Sequence, residues 1–142
     1  MNLDENILYV LKKLKGLDFC VTGSIALAFH GKLNREIHDL DIISDDPRVL
    51  KILQRDFKDD SDSVYGAYQY RFIHQDTTFI DLFPIKLPSC KKFNVNGLDI
   101  NLVDPHLIFL DKIERVRDST TPKAMVIKCL HDLEQYFHLT YN

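Results

Sequence analysis

Residues 19–43 read FCVTGSIALAFHGKLNREIHDLDII, from Phe19 to Ile43. Phe19 to Val21 form a short β-type run, Thr22-Gly23-Ser24 breaks it, and Ile25 to His30 has the Ala and Leu content of a helix whose first turn begins at Ser24. Gly31 to His38 is polar and irregular, a loop. Asp39 to Ile43 then resumes a strand in which Asp39 and Asp41 face one side while Leu40 and Ile42 face the other. Two carboxylates about 7 Å apart along a strand can converge on one or two hard cations, which oxygen ligands favour, and magnesium is the natural ion. Gly23 and Ser24, between a strand and a helix, offer backbone N–H groups and the positive end of a helix dipole to an anion, and the glycine lets a phosphate approach closely. A Gly-Ser pair at such a turn is by itself an ordinary turn and N-cap. The aspartates downstream turn it into one half of a phosphate cradle facing a metal site.

The remaining elements follow from periodicity. Leu3, Ile7, Leu8, Leu11 and Leu14 recur at helical spacing before Gly16, which predicts an amphipathic helix over 4–15. Asp45-Asp46-Pro47 opens a helix with Val49, Leu50, Leu53 and Phe57 as its apolar face, and Lys58 to Ser63 reads as a charged turn. Ala67 to Ile73 and Thr77 to Phe83, joined by His74-Gln75-Asp76, predict an antiparallel hairpin. A second hairpin, built from Phe93-Asn94-Val95 and Leu98 to Val103, is signalled by Asn96-Gly97. Helices close the chain, from Pro105 to about Arg117 and from Pro122 to about His138. This order predicts an α+β fold, a mixed β-sheet flanked by helices with a C-terminal helical pair.

A third carboxylate, Asp81, sits in FIDLF among Phe79, Ile80, Leu82 and Phe83. Burying it in so apolar a strand is costly unless something pairs with it, and a metal shared with Asp39 and Asp41 would do so. The alternative is an aspartate on the solvent face of an edge strand. Other sites fail on spacing. Gly23 to Lys32 is no P-loop, because the glycines are too far apart and Leu33 follows the lysine. An EF-hand from Asp39 fails at Ile43, Ser44 and Leu50. The six histidines show no HExxH or paired zinc spacing, and Ser24 lacks His and Asp partners for a nucleophilic triad.

The 142 residues suit one domain, 1–142, with a core at about 17–103 and closing helices at about 105–138. A formal net charge of -3 argues against a broad nucleic-acid-coating face, although Lys112, Arg115, Arg117, Lys123 and Lys128 gather locally. Cys20, Cys90 and Cys129 are odd in number and lack CxxC spacing, so they read as reduced structural thiols. No apolar run reaches signal-peptide or membrane-span length, and the expected location is cytoplasmic.

The pattern of a strand, Gly23-Ser24, a helix, Asp39-x-Asp41 and a later Asp81 resembles the nucleotidyltransferase superfamily of the DNA polymerase β type. GSIALAFHG, then Arg35, then HDLDII looks most like its small bacterial members, the minimal, antibiotic and AbiEii-like nucleotidyltransferases. The likeness covers residues 17–83. It implies that a nucleoside triphosphate binds at Gly23, Ser24, Arg35 and Lys112, and that two Mg2+ ions are held by Asp39, Asp41 and Asp81. A nucleoside monophosphate would then pass to a hydroxyl of an RNA (a tRNA end, for example), a protein or a small molecule, with loss of pyrophosphate. In the AbiEii-like members a lysine and an acidic residue on later helices are also functional, and Lys112 and Asp132 occupy similar places. The same likeness admits a non-catalytic regulatory or toxin–antitoxin module acting through a helical protein partner. A third possibility is an unrelated α+β interaction domain.

Overall fold

The computed structural model describes residues 4–63 and 69–141. The elements in chain order are α1 (Glu5–Lys13), β1 (Cys20–Thr22), α2 (Gly23–Phe29), β2 (Leu40–Ile43), α3 (Pro47–Asp56), β3 (Lys58–Asp59), a 3-10 turn (Ser61–Ser63), β4 (Tyr70–His74), β5 (Thr78–Phe83), β6 (Cys90–Val95), β7 (Leu98–Val103), α4 (Pro105–Arg117) and α5 (Lys123–Tyr141). The expected α+β class holds. Seven strands make one mixed sheet in the order β3-β4-β5-β2-β1-β7-β6, in which β2 runs parallel to β5 and β1 parallel to β7 while the other pairs are antiparallel.

Local chemistry explains the boundaries. The Asp4, Asp46 and Asp104 carboxylates each accept the backbone N–H two residues on, at 2.8, 3.0 and 2.8 Å, capping α1, α3 and α4, and proline opens the last two of these helices. Asn96 and Gly97, at φ 48° and 82°, make the turn between β6 and β7, as the Asn-Gly pair requires. Gln75 and Asp76 adopt φ 58° and 56° in the other hairpin, where a short polar side chain or an exposed tip tolerates the left-handed region.

Four expectations need correction, the first being that the hairpin strand expected at Phe93-Asn94-Val95 starts at Cys90. The strand predicted from Asp39 starts at Leu40, so Asp39 stands just outside it. The charged turn at 58–63 contains β3, a two-residue edge strand whose Lys58 and Asp59 pair with Ile73 and Phe72 of β4. The last helix extends to Tyr141 instead of about His138. Leu3 of the first predicted helix, and Ala67 and Tyr68 at the start of the first predicted hairpin, lie outside the described residues.

One apolar cluster draws on α1, α2 and α3, on the inward residues Val21, Leu40, Ile42, Phe72, Ile80 and Leu82, and on Ile108 of α4 and Tyr136 of α5. Because strand side chains alternate, burying Leu40, Ile42, Ile80 and Leu82 on one face sends Asp41, Ile43, Asp81 and Phe83 to the other. β5 lies between β4 and β2, so Asp81 is on an inner strand and the edge-strand alternative does not hold. No helix among the described residues is long and apolar enough to cross a membrane.

Candidate active site

Register assembles the site. Thr22 of β1 pairs with Asp41 of β2, Asp41 with Asp81 of β5, and Asp81 with Arg71 of β4, so four polar side chains stand in one row across four adjacent strands. In-register residues on neighbouring strands point to the same side of the sheet. That row forms the floor of a cavity of about 350 Å3, lined also by Gly23, Gln69, Phe83, Asp111, Arg115 and Met125, so that α4 and α5 supply its roof. A second cavity of about 250 Å3 shares Thr22, Phe83, Asp111 and Arg115 with it and continues over Ile43, Ile85, Pro88, Val103 and Leu107. The first is polar and the annex largely apolar.

Gly23 makes the close approach possible. It has φ 68°, and a Cβ built on it would collide with Oδ2 of Asp41. Only glycine allows the carboxylate to lie against this strand-to-helix turn. Burial raises the Asp41 carboxyl, the charges of Asp81 and Asp39 raise it further, and Arg115 and Lys112 offset only part of this, leaving it pushed up to about 7. Excess negative charge on closely set oxygen donors is what a hard divalent cation neutralises, so Asp41 and Asp39 fit such an ion. Asp39 faces Lys128 at 3.9 Å, with both side chains well exposed, a pairing weak enough to be displaced easily.

Asp81 is different. Arg71 holds it with a two-pronged bridge, Nε donating to Oδ1 at 2.7 Å and Nη2 to Oδ2 at 2.9 Å. The cost of burying Asp81 is therefore met by a guanidinium, where the sequence pointed to a shared metal. Among the described residues no three His, Cys, Asp or Glu side chains are grouped to hold a metal ion.

Ser24, Arg35 and Lys112 form a second constellation, centred on Asp132 of α5. The Ser24 hydroxyl donates to Asp132 Oδ2 at 2.7 Å, and Lys112 Nζ donates to that same oxygen and to Ser24 Oγ, each at 3.0 Å. Arg35 reaches Asp132 through Nε at 2.9 Å and Nη2 at 3.0 Å. Burial would raise the Asp132 carboxyl, but Arg35, Lys112 and Ser24 outweigh it and hold the group at about 2. Thus Arg35 and Lys112, expected beside the phosphates, are placed here as ties from the 31–39 loop and α4 to α5. The Ser24 side chain points the same way, and Gly23 is the member of the pair that lines the cavity.

The sequence did not single out Arg71, Asp111 or Met125, and it marked Arg115 only as one of a local group of basic residues. For Arg71 a signal existed. Counting back symmetrically from the loop at 75–77 sets residue 71 opposite residue 81, whereas the loop read from the sequence, one residue earlier at 74–76, sets it opposite residue 79. Asp111 and Arg115, joined at 3.1 Å as an i,i+4 pair, reach the cavity only through the packing of α4, for which the sequence carries no such count.

Residues 1–120 match the family described as "Nucleotidyltransferase of unknown function (DUF6036)". No curated protein matches the sequence. Among solved structures, the chain is similar to the lincosamide antibiotic adenylyltransferase LnuA with lincomycin bound, at TM-score 0.64 and 14% identity over 94% of this chain and 98% of that one. It is also similar to ANT(2")-Ia in complex with adenylyl-2"-tobramycin, at TM-score 0.62 and 14% identity over 94% and 85% of the two chains. A third likeness is to an antigenic nucleotidyltransferase-like protein from Paracoccidioides brasiliensis, at TM-score 0.52 and 17% identity over 92% and 73%. At these identities the structural likeness speaks for the fold.

Proposed function

The chain belongs to this nucleotidyltransferase family, and from that premise we propose that it transfers a nucleoside monophosphate from an NTP to a hydroxyl acceptor at the cavity floored by Asp41 and Asp81. The observation that carries the reading is the in-register row from Thr22 to Arg71, which sets two acids of adjacent strands against a glycine turn inside one cavity. The backbone N–H groups at Gly23 and Ser24 take the phosphates. Because α2 is only 7 residues long, these N–H groups themselves carry the contact and the dipole adds little. Mg2+ ions held by Asp39 and Asp41, with Asp81 completing a second position, would neutralise the triphosphate and acidify the acceptor hydroxyl.

Arg115 and Arg71 face the same space and add positive charge where pyrophosphate develops. Asp81 accepts the proton of the acceptor hydroxyl, whose oxygen bonds to the α-phosphorus in line as the α–β anhydride bond breaks and pyrophosphate leaves. The apolar annex offers surface to the part of a reactant that carries no phosphate. LnuA is seen with lincomycin bound and ANT(2")-Ia with adenylyl-2"-tobramycin, which supports including a small-molecule alcohol beside RNA and protein among the acceptors to be tried.

Incubation with α-labelled NTPs, Mg2+ and separate RNA, protein and small-molecule pools should label one pool. Asp39→Ala and Asp41→Ala should each reduce that label to background. Undiminished labelling in both variants would sink the proposal. One observation favours a second reading, a non-catalytic regulatory module with a helical protein partner: Ile127, Leu130, Phe137 and Tyr141 line one exposed face of α5. Metal-dependent NTP binding without turnover, together with a stable partner, would favour it.

A further inference from the structure

Of the three acids, Asp81 is the one gripped by a guanidinium. Its side chain is 8% exposed and that of Arg71 23%, so the two-pronged bridge is largely withdrawn from water, where such a contact is strongest. The Arg71 guanidinium carbon also lies 4.6 Å over the ring of Phe79, two residues before Asp81 on the same face of β5. A planar fork on one side and an aromatic ring on the other fix the cation in place. Both Asp81 oxygens are committed, one to Nε and one to Nη2. A carboxylate engaged in this way does not offer the same directions to a divalent ion.

Arg71 also lines the floor of the cavity that contains Gly23 and Arg115, so its fork borders the space a triphosphate would enter. Guanidinium geometry suits phosphate oxygens as well as carboxylates. Exchange of one anion for the other keeps the guanidinium paired, and the divalent ion that enters with the triphosphate then pairs Asp81, whereas simple withdrawal of Arg71 would strand a buried carboxylate.

Resting on the nucleotidyl-transfer reading, we propose that Arg71 is a positioning residue that keeps Asp81 closed to metal until a triphosphate arrives and takes over its guanidinium. Loading of the third carboxylate is thereby conditional on nucleotide, and an acceptor hydroxyl meets a competent base only when there is a phosphate to attack.

The test is a Mn2+ titration of the full chain followed by electron paramagnetic resonance, with and without α,β-methylene ATP and its GTP, CTP and UTP counterparts. The wild type should bind one Mn2+ without nucleotide and two with the matching analogue. Arg71→Gln should bind two without any nucleotide, its second site tightened by about tenfold or more. Arg71→Lys, a point charge with no fork, should fall between them and serves if the Gln variant folds poorly. Two Mn2+ ions on the nucleotide-free wild type, or equal titrations whatever stands at residue 71, would overturn the latch while leaving nucleotidyl transfer intact. A wild type that binds neither Mn2+ nor any analogue would overturn the transfer reading and the latch together.

Discussion

A methyl group added at residue 23 would run into the Asp41 carboxylate, and the backbone there is left-handed at φ 68°. Gly23→Ala therefore has two distinct effects. The αL penalty alone destabilises by about 1–2 kcal/mol, and displacement of Asp41 removes an oxygen donor from the cavity floor. We expect a lower urea midpoint together with loss of Mn2+ binding, read by denaturation and by titration of the folded fraction. Unchanged Mn2+ affinity in a stably folded Ala variant would mean that Asp41 does not need the space glycine leaves. This requirement was only half visible in the sequence. A Gly-Ser break after a β-run can be recognised as a phosphate-binding turn, but that the glycine makes room for an aspartate 18 residues later depends on the pairing of β1 with β2.

Among the elements, α2, α4, α5 and the 31–39 loop meet at one carboxylate. Asp132 is 1% exposed and receives Ser24, Lys112 and Arg35. Its pKa is held at about 2 against an ordinary 3.8, so its contribution of about 2 kcal/mol is complete above about pH 4 and is lost as the pH falls through about 2. Asp132→Asn should remove that acid limb and, by leaving Lys112 buried without its counter-charge, cost about 3 kcal/mol at neutral pH. Urea melts of both proteins between pH 6 and pH 2 measure the two effects. An equally steep acid limb in the Asn variant would assign the acid sensitivity to other groups. The elements themselves were mostly legible, because Pro47 and Pro105 after capping aspartates and the Asn96-Gly97 turn act through contacts within a few residues. β3 was not, since Lys58-Asp59 has no apolar side to bury and exists only because β4 offers it an edge. Likewise Asp39, Asp41 and Asp81 showed as a spaced set of acids, whereas the swing of Lys112 and Arg35 toward Asp132 depends on how α5 docks.

At the scale of the whole molecule, the question is whether α5 is an appendage or part of the folding unit. The family match ends at residue 120, before α5 begins at Lys123. Yet α5 brings Asp132 to the buried Lys112 and Tyr136 to the core, with the Tyr136 and Phe109 rings stacked at 4.7 Å. Without it, Phe109 would lose the ring stacked on it and the buried Lys112 the carboxylate it is hydrogen-bonded to, a combined loss comparable to the net stability of about 5–15 kcal/mol usual for a domain. We therefore expect the chain to behave as one cooperative unit. A version ending after Thr120 should lose its near-ultraviolet dichroism and its sharp urea transition, while the full chain should show amides of β2 and α5 gaining hydrogen-exchange protection with the same free energy. A truncated chain with a steep transition near the full-length midpoint would make α5 an independent addition. In that case Asp132 would organise the cavity roof without contributing to the fold beneath it.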